Sequence, residues 1–179
     1  MAQSQGKLQL WMDSFAADVA AACALTANEK VARDARLAGA AALNYLVTRL
    51  DLIPDWEESC GILDDAMVLR LAMSEVAEKD LDALPADVQR SVHRLANEAE
   101  VVRELLGDEL HAKLRKYVQG LHGTVVRGRH PSTVVDDEKQ REQLFDEIKD
   151  DLKRNSGTRM SDADHVLRII KNYLSQKLP

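Results

Sequence analysis

The chain has 179 residues, of which 45% are hydrophobic but only 4% aromatic, so we expect a core of aliphatic side chains and alanine. Its formal net charge of −6 argues against a nucleic-acid-binding protein, since such proteins are usually basic. The two cysteines, Cys23 and Cys60, are too few for a disulfide framework and indicate a reducing compartment. We therefore expect a cytoplasmic protein.

A membrane span needs roughly 18 consecutive apolar residues, and no segment of the sequence reaches that length without interruption. The N-terminal stretch is rich in alanine, but Asp13 and Asp18 interrupt it, which also argues against a cleavable signal peptide. We expect no transmembrane segment, and we assign residues 15–25 to the buried face of a first helix.

The first half of the chain predicts three helices. The first covers residues 7–25, and Thr26 and Glu29 then have the spacing of a capping box that would begin a second helix, ending near residue 47. Residues 38–42 of that second helix are only Ala and Gly, so another helix can approach them closely. The third helix, over residues 64–78, is apolar nearly all round and belongs at the centre of a bundle.

The second half predicts four more helices. Pro85 precedes a fourth, whose apolar residues recur at spacings of three and four up to a stop near Gly107. A fifth covers residues 110–121. Glycines and Pro131 then predict a loop near residues 123–135, in which residues 125–126 and 134–135 can pair as a small hairpin. A sixth helix covers residues 136–154, and Ser161 caps a seventh.

These elements predict an all-α fold, a compact bundle of about seven helices forming a single domain over residues 1–179. Short connections between the predicted helices favour packing of neighbours along the chain. The Ala-rich second helix can pack either within the chain or against a second copy, so a homo-oligomer stays open.

One segment differs from the rest of the chain. Residues 50–55 read Leu-Asp-Leu-Ile-Pro-Asp, and residues 61–66 read Gly-Ile-Leu-Asp-Asp-Ala. Bulky apolar residues there alternate with carboxylates, a proline and a glycine. The motif residues are Asp51, Pro54, Asp55, Gly61, Asp64 and Asp65.

Together with residues 45–49, this pattern resembles the YkvA-like family, a small bacterial helical domain of unknown function. That family joins a DLIPD element to a G-x-x-DD element across a short loop, and the resemblance covers residues 31–76. It implies a helical fold and a bacterial origin, and no particular activity. The C-terminal helices over residues 84–179 lie outside it.

The sequence departs from the family pattern in two places. Arg49 stands where the family usually has a proline, two residues before the first aspartate. Residues 56–60, Trp-Glu-Glu-Ser-Cys, replace an apolar link that usually contains proline. The polar link puts in doubt any membrane contact at this loop.

The first functional hypothesis is a non-enzymatic interaction or scaffold module with an unknown protein partner. The four aspartates would then fix the connection between the second and third helices. Carboxylates are favoured at helix N-termini and in turns. This hypothesis predicts that Asp51, Asp55, Asp64 and Asp65 accept backbone N–H hydrogen bonds or pair with Arg36, Arg49 or Arg70.

The second hypothesis is a divalent-metal site, with or without hydrolytic chemistry, formed by Asp51, Asp55, Asp64 and Asp65. Carboxylate oxygens suit Mg²⁺, Mn²⁺ or Ca²⁺. The spacing matches no EF-hand loop, and no histidine is near in sequence. We assign no metal to these residues and predict no cofactor.

The third hypothesis is a surface for an anionic partner, nucleic acid or lipid, on residues 110–135. This segment contains basic residues and no acidic ones. Its candidate contacts are Lys113, Arg115, Lys116, Arg127 and Arg129. The acidic net charge of the chain opposes this hypothesis, and a nucleic-acid partner is the less favoured form. The sequence contains no zinc-protease motif, phosphate loop, dinucleotide fingerprint or serine-hydrolase elbow, so no catalytic residue is assigned.

Overall fold

The computed structural model describes residues 2–48, 52–53, 61–154 and 162–179, with the side chains of residues 2–5 and 154 excepted. Within these ranges the chain forms eight α-helices and one 3-10 turn, and it has no β-strand, which confirms the all-α prediction. The helices are α1 (Ala2–Ala27), α2 (Arg33–Leu46), α3 (Leu63–Ser74), α4 (Ala86–Leu106), α5 (Asp108–Gly120), α6 (Pro131–Asp136), α7 (Glu138–Arg154) and α8 (Ala163–Lys177), with the 3-10 turn at Leu121–Gly123.

Helix α3 lies at the centre of the fold, as its apolar sequence predicted. It packs against α1, α2, α4 and α5, and every residue from Leu63 to Met73 is buried. The helix ends at Ser74, four residues before the predicted end at residue 78, and residues 75–78 form turns. A helix buried on all sides must satisfy its polar side chains internally, and Asp64, Asp65 and Arg70 are such side chains.

Helices α1 and α2 approach closely at Gly39, in the Ala- and Gly-rich stretch that predicted such an approach. A Cβ atom added at Gly39 would lie 2.5 Å from Thr26 Oγ1 and 3.3 Å from Leu25 Cδ2. Only a residue without a side chain fits here, and the two backbones are held together by small residues.

The predicted capping box at Thr26 and Glu29 is wrong. Helix α1 continues to Ala27, and the Thr26 hydroxyl donates backwards to the carbonyl of Ala22 at 2.8 Å. The hydroxyl is buried between α1 and α2, where that carbonyl is available and solvent is not. Helix α2 begins only at Arg33, after Ala32, and has no side-chain cap.

The predicted sixth helix, residues 136–154, is divided and begins earlier. Pro131 starts α6, and the imidazole of His130 caps it by accepting from the N–H of Ser132 at 3.1 Å. Asp137 has extended backbone and separates α6 from α7, whose N-terminus it caps by accepting from Gln140 at 3.2 Å. Within the described ranges the chain therefore has eight helices, where the sequence predicted about seven.

The predicted hairpin between residues 125–126 and 134–135 is also wrong. Val134 and Val135 lie in α6, and the loop contains only a tight turn closed by Val126 and Arg129. Helix α8 begins at Ala163 and is capped by Asp162, whose carboxylate accepts from Asp164 and His165. The predicted cap, Ser161, lies outside the described residues.

In the described part of the chain, one segment is long and apolar enough to cross a membrane, namely Gly6–Ala27 of α1, with a mean hydropathy of 1.2. In the fold 44% of that stretch is buried, and a core helix passes the same test of length and composition. Its buried face packs on α2, α3 and α4 through Trp11, Phe15, Val19 and Leu25.

Candidate functional site

The motif aspartate Asp64 lies in the first turn of α3 and is fully buried. Its Oδ2 atom accepts a hydrogen bond from the hydroxyl of Tyr45 at 2.5 Å and another from the backbone N–H of Ile53 at 3.1 Å. The N–H of Leu52 in turn donates to the Tyr45 hydroxyl at 3.0 Å. We call these four residues the Tyr45–Asp64 clamp, because they join α2, the motif connection and α3.

Among the residues that the structure describes, the clamp holds its carboxyl group with dipoles and with no cation. Burial raises the pKa of Asp64 to about 7, although the hydrogen bonds from Tyr45 and from backbone N–H groups act in the opposite direction. Burial, followed by the neighbouring Asp64 carboxyl, raises the pKa of Tyr45 as well. The Oδ1 atom of Asp64 is buried and has no hydrogen-bond partner among the described residues.

Of the other motif residues, the structure describes only Gly61 and Asp65. Gly61 lies half-buried in the turn before α3, and Asp65 is buried beside Asp64. Asp51, Pro54 and Asp55 lie outside the described residues, as does Arg49. Asp64 accepts a backbone N–H hydrogen bond, as predicted for the aspartates. Two of the arginines predicted to pair with them bind other groups: Arg36 donates to the carbonyl of Thr26, and Arg70 donates to Glu98.

The described ranges contain few side chains that could bind a metal ion or act as a nucleophile. No group of three or more His, Cys, Asp or Glu side chains with metal-binding geometry occurs among residues 2–48, 52–53, 61–154 and 162–179. Burial raises the pKa of the Cys23 thiol to about 12, so this cysteine is not a thiolate at neutral pH. Cys60 lies outside those ranges.

A second buried charge cluster escaped sequence reasoning. Asp18 of α1 and Arg70 of α3 are both fully buried, with 3.2 Å between Asp18 Oδ2 and an Arg70 terminal nitrogen. Arg70 also binds Glu98 at 2.7 Å, and its guanidinium stacks over Trp11 at 4.1 Å from the ring centre. Arg94 binds the other oxygen of Asp18. We call Asp18, Arg70, Arg94 and Glu98 the Arg70 network; it joins α1, α3 and α4.

This network had a signal in the sequence. Asp18 falls on the buried stripe of α1, at spacings of three and four from Phe15 and Ala22, and Arg70 is the one cation of α3. A charged residue on each of two apolar faces predicts an internal ion pair, because neither charge can be buried alone at a tolerable free energy.

A groove of about 610 Å³ opens beside the Tyr45–Asp64 clamp. It lies between the end of α2 and the segment from α5 to the tight turn. The Tyr45 ring forms part of its wall and meets the Tyr117 ring edge-on, with 6.1 Å between ring centres. The described residues that line the groove are mostly apolar, with threonines and one arginine: Tyr45, Val47, Thr48, Tyr117, Leu121, Thr124, Val125, Val126 and Arg127.

The tight turn at one side of the groove has an unusual backbone. Val126 and Arg129 exchange two hydrogen bonds of 2.9 and 2.8 Å, and the residues between them, Arg127 and Gly128, have φ angles of 49° and 79°. Positive φ at both central positions favours Asn or Gly. Arg127 is the only residue other than glycine with positive φ in the described ranges, and this conformation costs about 1 kcal/mol.

Of the basic residues predicted to bind an anionic partner, three pair with carboxylates of the same chain: Lys113, Arg127 and Arg129. Glu147 binds Arg129 through two hydrogen bonds of 2.7 Å and Arg127 through one of 3.0 Å. These arginines, Arg129 first, lower the pKa of Glu147 to about 2. Lys113 lies 3.8 Å from Glu109, whereas Arg115 and Lys116 are exposed on α5. Three of these five basic residues thus already pair with a carboxylate of the chain.

The sequence matches no family model, no curated protein and no solved structure. The groove and the clamp are therefore interpreted from their own geometry.

Proposed function

We propose that the chain is a non-enzymatic interaction module that binds a protein partner in the groove beside the Tyr45–Asp64 clamp. The observation that carries this proposal is the double role of Tyr45. Its hydroxyl is held by Asp64 and Leu52, and its ring forms a wall of the groove. In this proposal the motif is a structural clamp, and what it holds in place is a binding surface.

The shape and chemistry of the groove support the proposal. Its volume is within the range of roughly 300–1,000 Å³ typical of binding pockets, and its walls are apolar with a few polar groups. Val125, which lines it, is 59% exposed. A partner that covers Val125 would remove this apolar surface from water.

We also propose that the chain is a YkvA-like protein of a bacterial cytoplasm, on the strength of the motif in residues 31–76. On this proposal the Asp64 clamp would be a structural feature of that motif. The resemblance names no activity, so the functional proposal rests on the groove.

The test of the proposed function uses two exposed apolar residues as a matched pair. A photoreactive amino acid replaces Val125 in the groove or Leu10 on α1, which is 66% exposed. In the host cell we expect a discrete protein adduct from position 125 and none from position 10. The adduct should disappear when Thr124, also in the groove, is replaced by Trp. Equal labelling from both positions would contradict docking in the groove.

The metal hypothesis stays an alternative, and the buried Oδ1 atom of Asp64 is the observation that favours it. A thermal melt with chelator, and then with Mg²⁺, Mn²⁺, Ca²⁺ and Zn²⁺ in turn, tests it directly. A ligand that binds only the folded state raises the midpoint. A rise with one metal that is absent in Asp64→Asn/Asp65→Asn would replace the structural interpretation of the motif.

A further inference from the structure

The described residues of the groove carry a charge of one sign. Among its described lining residues there is one cation, Arg127, and there is no carboxylate. The rest of the chain is acidic, with a net charge of −6, but charges in water are screened over about 8 Å at physiological salt. Of the charges on the described residues, a ligand seated in the groove therefore meets mainly that of Arg127 and its immediate neighbours.

The neighbours of Arg127 leave a positive charge uncompensated. Glu147 is the carboxylate shared by Arg127 and Arg129, so two positive charges face one negative charge. Arg129 is buried and holds Glu147 through two short hydrogen bonds, whereas Arg127 is 38% exposed and holds it through one longer bond. Arg127 can thus turn toward a second carboxylate while Arg129 keeps Glu147 paired.

The backbone at Arg127 points to a role for its side chain. The turn would be relieved of strain by Asn or Gly at this position, since φ is positive there. Non-glycine residues held in such conformations occur preferentially at functional sites. The strained position places the arginine on the wall of the groove, which the apolar side chains of Tyr45 and Val47 also line.

We propose that the partner segment bound in the groove is apolar and acidic: its apolar side chains cover Tyr45, Val47, Leu121 and Val125, and a carboxylate of the segment binds Arg127. This inference rests on the proposed function and adds the chemistry of the partner to it. A carboxylate and a guanidinium form the strongest of the hydrogen-bonded pairs available to side chains, so the pair selects among apolar segments.

The test is a selection from displayed random dodecapeptides on the full chain, with counter-selection on Val125→Glu. We expect the peptides retained only by the wild type to combine large apolar residues with Asp or Glu. For a synthetic peptide so selected, Arg127→Gln should weaken binding by about tenfold or more, and Arg127→Lys by less. Arg115→Gln, which removes an exposed arginine of α5 outside the groove, is the matched control and should leave binding unchanged.

The outcomes separate the two proposals. If no peptide distinguishes the wild type from Val125→Glu, docking in the groove is contradicted, and the inference about the partner's chemistry is contradicted with it. If groove-dependent peptides are recovered but lack acidic residues, or bind Arg127→Gln as well as the wild type, the proposed function survives and the acidic partner does not. A thermal melt of each variant confirms that the fold is intact before binding is compared.

Discussion

Two carboxyl groups of the described residues are completely buried, Asp18 in the Arg70 network and Asp64 in the Tyr45–Asp64 clamp, and their surroundings differ. Asp18 meets two guanidinium groups and the hydroxyl of Ser14. Asp64 meets a phenol and a backbone N–H, and no cation among the described residues. The first carboxyl is neutralised by charge inside the core, and the second is solvated by the dipoles of its described neighbours.

The difference has a physical consequence. A buried ion pair is costly to break, because removing one partner leaves a charge in a medium that does not solvate it. A buried carboxyl without a neighbouring cation can instead take up a proton and become neutral. The Arg70 network should therefore dominate the stability of the bundle, whereas the clamp should make that stability depend on pH near neutrality.

The largest effect is expected from Arg70→Leu. The substitution leaves Asp18 and Glu98 without their shared cation in the interior, and we expect the free energy of unfolding to fall by about 3–5 kcal/mol. Urea unfolding followed by circular dichroism measures it. Arg103→Leu, which removes an exposed arginine paired with Glu100 and Asp108, is the control and should leave the free energy of unfolding nearly unchanged. Equal losses in the free energy of unfolding for the two variants would contradict a dominant role of the Arg70 network in stability.

The next effect is the pH dependence set by Asp64. Its pKa is about 7 in the folded chain and about 3.9 when unfolded, so the folded state holds the proton more tightly. Stability is therefore fully present at low pH and is lost as pH rises toward and through 7. Between pH 5 and pH 8 we expect wild-type stability to fall by roughly 2–3 kcal/mol relative to Asp64→Asn, in parallel urea melts.

The control for this pH dependence is Asp34→Asn, which changes an exposed carboxylate paired with Lys79. Lys79 and the N–H of Ala35 lower the pKa of Asp34, so it does not titrate between pH 5 and pH 8. We expect this variant to keep the slope of the wild type. A wild-type curve that stays flat over that interval, or rises, would show that Asp64 remains charged in the core.

A smaller effect is expected from Tyr45→Phe. The change removes the hydroxyl that donates to Asp64 and accepts from Leu52, and we expect a loss of about 1–2 kcal/mol in urea unfolding. Tyr173→Phe on α8 is the matched control, with an expected change within about 0.5 kcal/mol. The loss at Tyr45 should be greatest above pH 7, where Asp64 is ionised. A loss independent of pH would mean that the hydroxyl does not serve the carboxylate.

The smallest effect concerns the outer edge of the Arg70 network. Arg94 is 40% exposed and binds Asp18. In Arg94→Gln, Asp18 still has Arg70 and the hydroxyl of Ser14 as hydrogen-bond partners. We expect a loss of about 1 kcal/mol by urea unfolding. Arg90→Gln, on an exposed position of the same helix, should change little. A cost for Arg94→Gln as large as that for Arg70→Leu would mean that Asp18 depends on Arg94 rather than on Arg70.

Much of the fold could be predicted from the sequence, because most helices follow from apolar spacing. The central position of α3 follows from a helix apolar on all sides, and the close approach at Gly39 from a run of small residues. The errors lie at helix ends, where tertiary contacts decide. Thr26 matches a capping box locally, but its hydroxyl is buried against α2 and bonds backwards to Ala22 instead.

The site was less predictable, because its parts are distant in sequence. The motif identified Asp64, but its partner Tyr45 appeared only as part of the resemblance, and a hydrogen bond between them depends on the packing of α2 on α3. The groove joins the end of α2 to the loop after α5, whose basic residues suggested a charged surface. Nothing in the sequence indicated that Glu147, eighteen residues away from Arg129, would pair with both arginines of that segment.

The side-chain ¹³C chemical shift of Asp64, followed as a function of pH, shows whether this carboxyl is a structural group held by dipoles. We expect a midpoint near 7 that is absent from the spectra of Asp64→Asn and unchanged by Mg²⁺, Mn²⁺ or Ca²⁺. A midpoint near the ordinary carboxyl value of about 4, or one that moves down when a divalent cation is added, would contradict it.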